Sequence, residues 1–268
     1  MGSLQFDHPV TDRGIESAHA LRWVQQDPLL KGRLSSIQEI PLFFGLTRAE
    51  CATVASTASV RDFSDGQMVF RECQPASCIA VLISGRVKLT RFDNSGDQLL
   101  LKVFDAGQVI GTLGVIPGSA HTSNAHASGA CRVLTWDARV FDNLCERIPA
   151  LARNCLRISA ERQGLLEERF FELITQHAEA RLARLLVRLL EQSRCSVNNP
   201  ARIEGLMQLE MSQMIGTTLW TVNRILCAWE NLGLVEVQRG CVIVQTPKQL
   251  LAFAEKICAR GGGTAART

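Results

Sequence analysis

Gln208–Val235 reads QLEMSQMIGTTLWTVNRILCAWENLGLV. Apolar Met211, Met214 and Ile215 close a short helical stretch. Gly216 permits a tight turn, Thr217 and Thr218 supply caps, and Val222, Ile225, Leu226, Trp229 and Leu232 recur at helical spacing as one apolar face. Helix, short turn, helix is the arrangement that lets a second helix lie in a major groove. Leu219, Trp220, Thr221, Asn223 and Arg224 are left on the outward face, near the start of that helix. An arginine can donate two bonds to guanine O6 and N7 and an asparagine can pair with adenine, so Asn223 and Arg224 are the candidate base readers. The bland alternative is an ordinary pair of helices with a solvated face. The next segment weighs against it: Leu234–Val244, LVEVQRGCVIV, reads as a hairpin turning at Arg239–Gly240, a wing whose arginine would reach a phosphate.

Upstream, residues 179–193 read as an amphipathic helix, and SVNNPA at 196–201 as a loop. Residues 138–175 also read as helical. Leu151, Cys155, Ile158, Arg162, Leu165, Arg169 and Glu172 recur at steps of four and three, beside an apolar line of Leu166, Phe170 and Leu173. A long helix between two units is expected to be a dimer spine, with Leu151, Cys155, Ile158, Leu165 and Phe170 at the interface. From about Val60 to Trp136 the texture changes to short β-rich runs, MVF, CIAVLI, RVKLTRF, QLLLKVF, VIGTLG and CRVLTW. Gly66, Gly85, Asn94–Gly96, Gly107 and Pro117–Gly118 punctuate them at the spacing of an antiparallel roll or sandwich. Before it, Thr47 and Glu50 have capping-box spacing at the head of a short helix. The first 36 residues carry a helical patch around Ile15–Val24 and no chemistry, and the Gly-rich end is expected to be a flexible tail.

Residues 181–260 hold 10 Lys/Arg against 6 Asp/Glu, whereas residues 1–180 hold 18 against 20, so the positive balance lies where a phosphate-binding unit needs it. The 10 cysteines are scattered, with no C-x-x-C pair, and read as reduced core thiols; no metal site is expected. No run is long and apolar enough for a bilayer, and MGSLQFDHPVTDRG lacks a signal-peptide layout, so a cytoplasmic protein is expected. No P-loop, G-x-S-x-G, H-E-x-x-H or dinucleotide fingerprint is present, so catalysis is not expected.

Over roughly 37–257 the chain resembles the Crp/Fnr family of transcriptional regulators. IPLFFGLTRAE is similar to its opening helix, DGQMVFREC and CIAVLISGRVKLTRFDNSGDQLLLKVFDAGQVIG to its cyclic-nucleotide-type roll, and ARLARLLVRLLEQ with MIGTTLWTVNRILCAWENLGLV to its winged helix. The resemblance implies an α+β chain: an extension (1–36), a jelly-roll-like β-roll sensor (37–147), a dimerisation helix (148–176), a winged helix-turn-helix (177–258) and a tail (259–268). It also implies a homodimer on a pseudo-palindromic operator in double-stranded DNA, with RNA polymerase as a further partner. Gln208, Thr218, Leu219, Trp220, Thr221, Asn223, Arg224 and Arg239 would make the DNA contacts.

The departures bear on the signal. Cyclic-AMP binders of the family carry a Gly-Glu-Leu turn and an Arg-Ser pair; here the matching stretches read Gly111-Thr112-Leu113-Gly114 and Thr122-Ser123, with His121 beside them. The positions that meet adenine correspond to Leu166 and Glu167, and Leu166 cannot hydrogen-bond a base. The effector is therefore expected not to be cyclic AMP and is otherwise unknown, as is any cofactor. A redox or gas sensor acting through protein contacts, using Cys73 and Cys78 or a haem on His121 and His126, is the alternative reading. On the recognition helix, Trp220 replaces the family's glutamate, so a different operator is expected. Met207 stands where relatives cap the first helix with threonine, leaving Gln208 as a weaker substitute.

Overall fold

The computed structural model describes residues 37, 40–111, 119–192 and 200–261. A 3-10 turn at Pro41–Phe43 leads into α1 (Arg48–Ser56), opened by the expected capping box: Thr47 Oγ1 accepts from the Glu50 amide, and Glu50 Oε2 accepts from the Thr47 amide at 2.7 Å. The roll follows as β1 (Ser59–Phe63), β2 (Met68–Phe70), β3 (Cys78–Phe92), β4 (Gln98–Phe104), β5 (Val109–Ile110) and β6 (Asn124–Asp137). All pairings are antiparallel, in the order β1-β6-β3-β4, with β2 added on β6 and β5 on β3.

Two expected runs, CIAVLI and RVKLTRF, are one strand. Gly85, read as a break, lies within β3 at a bulge, at φ +84°. A Cβ there would stand 2.3 Å from the Ala130 carbonyl oxygen, so only glycine lets the strand bend and continue. β1 and the first half of β6, exposed or small-residue segments, lack the apolar alternation by which the other strands declare themselves.

The helical stretch after the roll is two helices, because Pro149 follows Ile148 and starts a new one. They are α2 (Ala138–Arg147), capped by Asp137, and α3 (Pro149–Thr175). Asn154 Nδ2 donates to the Leu42 and Phe44 carbonyls (3.0 and 2.8 Å) and so ties α3 to the opening turn. Around this joint Trp136, Phe43, Phe141 and Leu151 are fully buried, with Trp136 Nε1 donating to the Val54 carbonyl at 2.8 Å.

The C-terminal unit comprises α4 (Ala178–Gln192), β7 (Ala201–Glu204), α5 (Gln208–Met214), α6 (Leu219–Asn231), β8 (Val235–Gln238), β9 (Cys241–Val244) and α7 (Pro247–Gly261). The wing is three-stranded, in the order β7-β9-β8; Ala201, read as loop, begins its added strand. Helix α7 runs to Gly261, so the expected tail boundary at 259 falls inside it. The extension 1–36 and its helical patch, loop positions 196–199 and residues 262–268 lie outside the described residues. No helix among the described residues is long and apolar enough to cross a membrane.

The roll and the C-terminal unit share a core: Leu100 and Val103 of β4 pack with Leu185, Met211, Val222 and Trp229. Polar contacts reinforce the joint. Lys88 Nζ lies 2.6 Å from Glu210 Oε1, Gln213 accepts from the Leu100 amide and donates to the Gln98 carbonyl (both 3.0 Å), and Arg86 donates to the Glu204 carbonyl.

Candidate nucleic-acid interface and roll cavity

Helices α5 and α6 are set by the turn between them. Gly216 adopts φ +64°, and Thr217 N donates to the Ser212 carbonyl at 3.0 Å. Thr218 is the N-cap of α6, its hydroxyl accepting from the Thr221 amide at 3.2 Å. Arg181, on α4, clamps the same turn: Nε donates to the Ile215 carbonyl (2.9 Å), Nη2 to that of Gly216 (3.3 Å) and Nη1 to that of Gln176 (2.6 Å). Sequence reading missed this positioning role, because an arginine on an amphipathic helix carries no sign of what lies above it.

On α6, Val222, Ile225, Leu226 and Trp229 are buried, and Trp229 Nε1 donates to Glu179 at 3.0 Å. Leu232, assigned to the same face, is exposed, because the helix ends at Asn231 and the chain turns away. The outward face is as expected: Leu219 is exposed and Trp220 is 70% exposed. Arg224 lies over the Trp220 ring, 5.3 Å from its centroid, so ring and guanidinium form one protruding unit. Trp220 therefore does not pack into the body of the protein. Thr221 and Asn223 are half-buried; Asn223 Oδ1 is enclosed without a hydrogen-bond partner. Met207 provides no side-chain cap; Glu210 makes only the reverse contact, accepting from the Met207 amide at 2.8 Å. Gln208 and Arg239 line one groove, of about 400 Å³, between the start of α5 and the wing tip. The DNA-contact candidates thus fall in two groups, the start of α6 and the groove between α5 and the wing.

A second cavity, of about 360 Å³, opens where the roll meets α3 and α4. Of the expected pocket residues it is lined by Gly111, His121, Thr122, Ser123 and Leu166; Thr112 and Leu113 lie outside the described residues. Glu167 does not line it, since it lies on the exposed side of α3, accepting from Gln163 at 3.0 Å. Gly111 is at φ +72°, and a Cβ there would meet the Phe70 ring at 2.8 Å. Phe70 stacks on His121, ring centroids 3.8 Å apart. His121 is 6% exposed, burial pushes its pKa down, and its Nδ1 has no partner.

Four cations also line the cavity: Lys102, Arg162, Arg169 and Arg188. Arg162 donates to the Gly111 carbonyl at 2.7 Å and to that of Val109; Arg169 donates to that of Leu101 at 3.4 Å. Arg188 grips the buried Glu172 with two bonds, 2.7 and 3.0 Å. Burial, with Arg162 and Arg169 nearby, pushes the Lys102 pKa down to about 8.

These contacts correct the dimer seam. The line through Leu151, Cys155, Ile158, Arg162, Leu165, Arg169 and Glu172 faces the protomer's own domains: Leu151 is fully buried, Cys155 and Ile158 pack against the same core, and Leu165 lines the cavity. Leu151 is thereby closed to a partner and Cys155 and Ile158 are half-buried, whereas Leu165 stays 41% exposed at the cavity mouth. The face left open carries Leu156, Ala160, Gln163, Glu167, Phe170 and Ile174, again at steps of four and three, so Phe170 alone of the expected interface set lies on it. Its signal was the charge appearing at Arg162, which marks a seam turning from a core to a polar site.

Cys73 is exposed and Cys78 half-buried, both free thiols, with burial raising the Cys78 pKa. Among the described residues no group of three or more His, Cys, Asp or Glu side chains is arranged to hold a metal ion.

Comparison with known proteins agrees with this architecture. Residues 60–148 match the cyclic nucleotide-binding domain and residues 180–253 the Crp-like helix-turn-helix domain. The CRP-like cAMP-activated global transcriptional regulator of Mycobacterium tuberculosis is 24% identical over 210 residues, 78% of this chain and 94% of that protein. The cyclic AMP receptor protein of Thermus thermophilus is 25% identical over 208 residues, 76% of this chain and 92% of its own length. Among solved structures, FixK2 from Bradyrhizobium japonicum matches with a TM-score of 0.64 at 18% identity, covering 72% of this chain and 95% of that one. A cyclic-nucleotide-type roll followed by a Crp-like helix-turn-helix, in that order and over these residues, makes this chain a member of the Crp/Fnr family of DNA-binding transcriptional regulators.

Proposed function

We propose that the chain acts in the cytoplasm as a homodimeric, sequence-specific regulator, bringing RNA polymerase to, or excluding it from, a pseudo-palindromic operator in response to a signal other than cyclic AMP. The observation that carries the DNA reading is the outward face of α6. Its inner side is buried, while Trp220 and Arg224 protrude together, and in the same unit Gln208 and Arg239 line a groove between the start of α5 and the wing tip. That pairs a base-reading group with phosphate-positioning groups within one unit. Homodimerisation is supported by the open seam of α3, where Leu156, Phe170 and Ile174 are each at least 66% exposed. A signal other than cyclic AMP is supported by the cavity lining, which among the described residues holds no carboxylate to take a ribose hydroxyl and has Leu166 where adenine would need a polar partner.

Selection from a random duplex pool, followed by mobility-shift titration against salt, tests the reading. A two-fold-symmetric site is expected, bound by a dimer in sedimentation. Leu156→Glu with Phe170→Glu should give folded monomers that no longer bind it. Cyclic AMP at millimolar concentration should leave Tm unchanged, whereas a ligand at 100 times its Kd stabilises by about 2.7 kcal/mol. Binding without sequence preference, or a wild-type monomer at micromolar concentration, would overturn the proposal.

A further inference from the structure

Resting on the reading of the roll cavity as the effector site, we infer that its ligand is a small organic acid: one anionic head group on an apolar body. Three of the four cations at the cavity, Lys102, Arg162 and Arg169, have no carboxylate within ion-pair distance among the described residues; only Arg188 is neutralised, by Glu172. Glu168 and Glu172 act on Arg169 at longer range only. These charges are held rather than free to swing into water. Arg162 is fixed by the Val109 and Gly111 carbonyls, and Lys102 stands 4.6 Å from the centroid of Phe104, with Arg162 5.8 Å from the same ring. Like charges gathered in a partly dry site repel one another, and an anion placed among them removes that cost.

Two further observations set the chemistry. His121, more than nine-tenths buried at the cavity wall, has an unpartnered Nδ1. As a neutral imidazole it can donate to an anionic oxygen. Thr122, Ser123 and Gln192 add polar edges, while the larger part of the remaining wall is Phe70, Leu89, Leu101, Phe104, Leu165 and Leu166, which match a hydrocarbon or aryl body. The cations come from β4, α3 and α4, not from the Thr122-Ser123 stretch, so the charge missing there is supplied by other elements of the cavity. The same strand that carries Lys102 sends Leu100 and Val103 into the core of the DNA-binding unit, which gives an occupied cavity a direct mechanical link to α5 and α6.

The probes are benzoate, phenylacetate, octanoate and phenyl phosphate, each paired with an uncharged amide or alcohol of the same shape, with cyclic AMP and benzylamine as controls. Thermal shift and calorimetry read binding up to 10 mM, on the wild type and on Lys102→Met, chosen because Lys102 makes no hydrogen bond or ion pair with a described residue. At least one acid should raise Tm while its neutral partner does not, and Lys102→Met should stay folded and weaken that acid about 10-fold or more. A preference for phenyl phosphate over the carboxylates assigns the head group to phosphate, and the reverse assigns it to carboxylate. The inference is overturned if neutral partners bind as well as acids, if Lys102→Met binds them equally, if only cyclic AMP binds, or if no acid binds. Duplex selection on the same preparation separates the two readings: operator binding with no response to acids defeats the ligand class alone, and loss of both defeats the regulator.

Discussion

Lys88→Met, Glu210→Gln and their combination test whether the sensor roll and the DNA-binding unit are energetically one body. The ion pair is short, 2.6 Å, and nearly closed to water, with side-chain exposures of 14% and 12%. At an effective dielectric near 20 its gross attraction is about 6 kcal/mol, and desolvation offsets much of that. Removing one partner leaves the other charge enclosed. For Glu210→Gln the stranded Lys88 ammonium should cost about 3 kcal/mol or more. Lys88→Met should cost less, about 2 kcal/mol, because the Glu210 carboxylate keeps the Met207 amide as donor. The double variant should recover part of the loss, with a coupling energy of about 2 kcal/mol. Urea unfolding measures the sum. Hydrogen exchange at the Leu100 amide, which donates to Gln213 across the joint, reports the joint itself and should accelerate in each single variant. Coupling below about 0.5 kcal/mol, with unchanged exchange at Leu100, would refute the account of a shared body.

Arg224→Ala should cost about 1–3 kcal/mol on the selected operator and relax one base position per half-site, whereas Arg239→Ala should weaken selected and random duplex alike and lower the salt slope by about one per contacting subunit. Equal effects of Arg224→Ala on both duplexes would remove base reading from that residue. Gly216→Ala, at φ +64° with its new Cβ 3.1 Å from Leu173 Cδ2, should destabilise by about 1–2 kcal/mol and abolish operator binding at elevated temperature first, read by Tm and shift assay. Burial lowers the His121 and His126 pKa values, with Lys88 adding to the effect at His126, so the unfolded chain binds more protons below its ordinary histidine pKa. Stability should therefore rise with pH up to about 6.5 and fall on acidification, and His121→Phe, which keeps the stack on Phe70, should flatten part of that slope. Lys102, lowered to about 8, gives a second rise between about pH 8 and 10.4, at most about 3 kcal/mol in urea titrations and absent in Lys102→Met.

What the sequence determined by itself was whatever depends on local geometry. The α6 apolar face, the Gly216 turn, the Thr47 capping box and the Arg239 hairpin each follow from spacing within a few residues, because a helix or a tight turn brings near neighbours together. The order of roll and winged helix was legible for the same reason, as a change in period along the chain. What only the tertiary structure decided was which face meets which. Arg162 and Arg169 sit at the same helical spacing as Leu151 and Leu165, and nothing in that spacing tells a helix stripe covered by its own roll from one waiting for a partner. The cavity takes its cations from β4, α3 and α4, and Lys88 meets Glu210 across 122 residues; contacts so distant along the chain leave no periodic trace. The open seam through Leu156, Phe170 and Ile174, and the cationic character of the cavity, became visible only once packing had covered everything else.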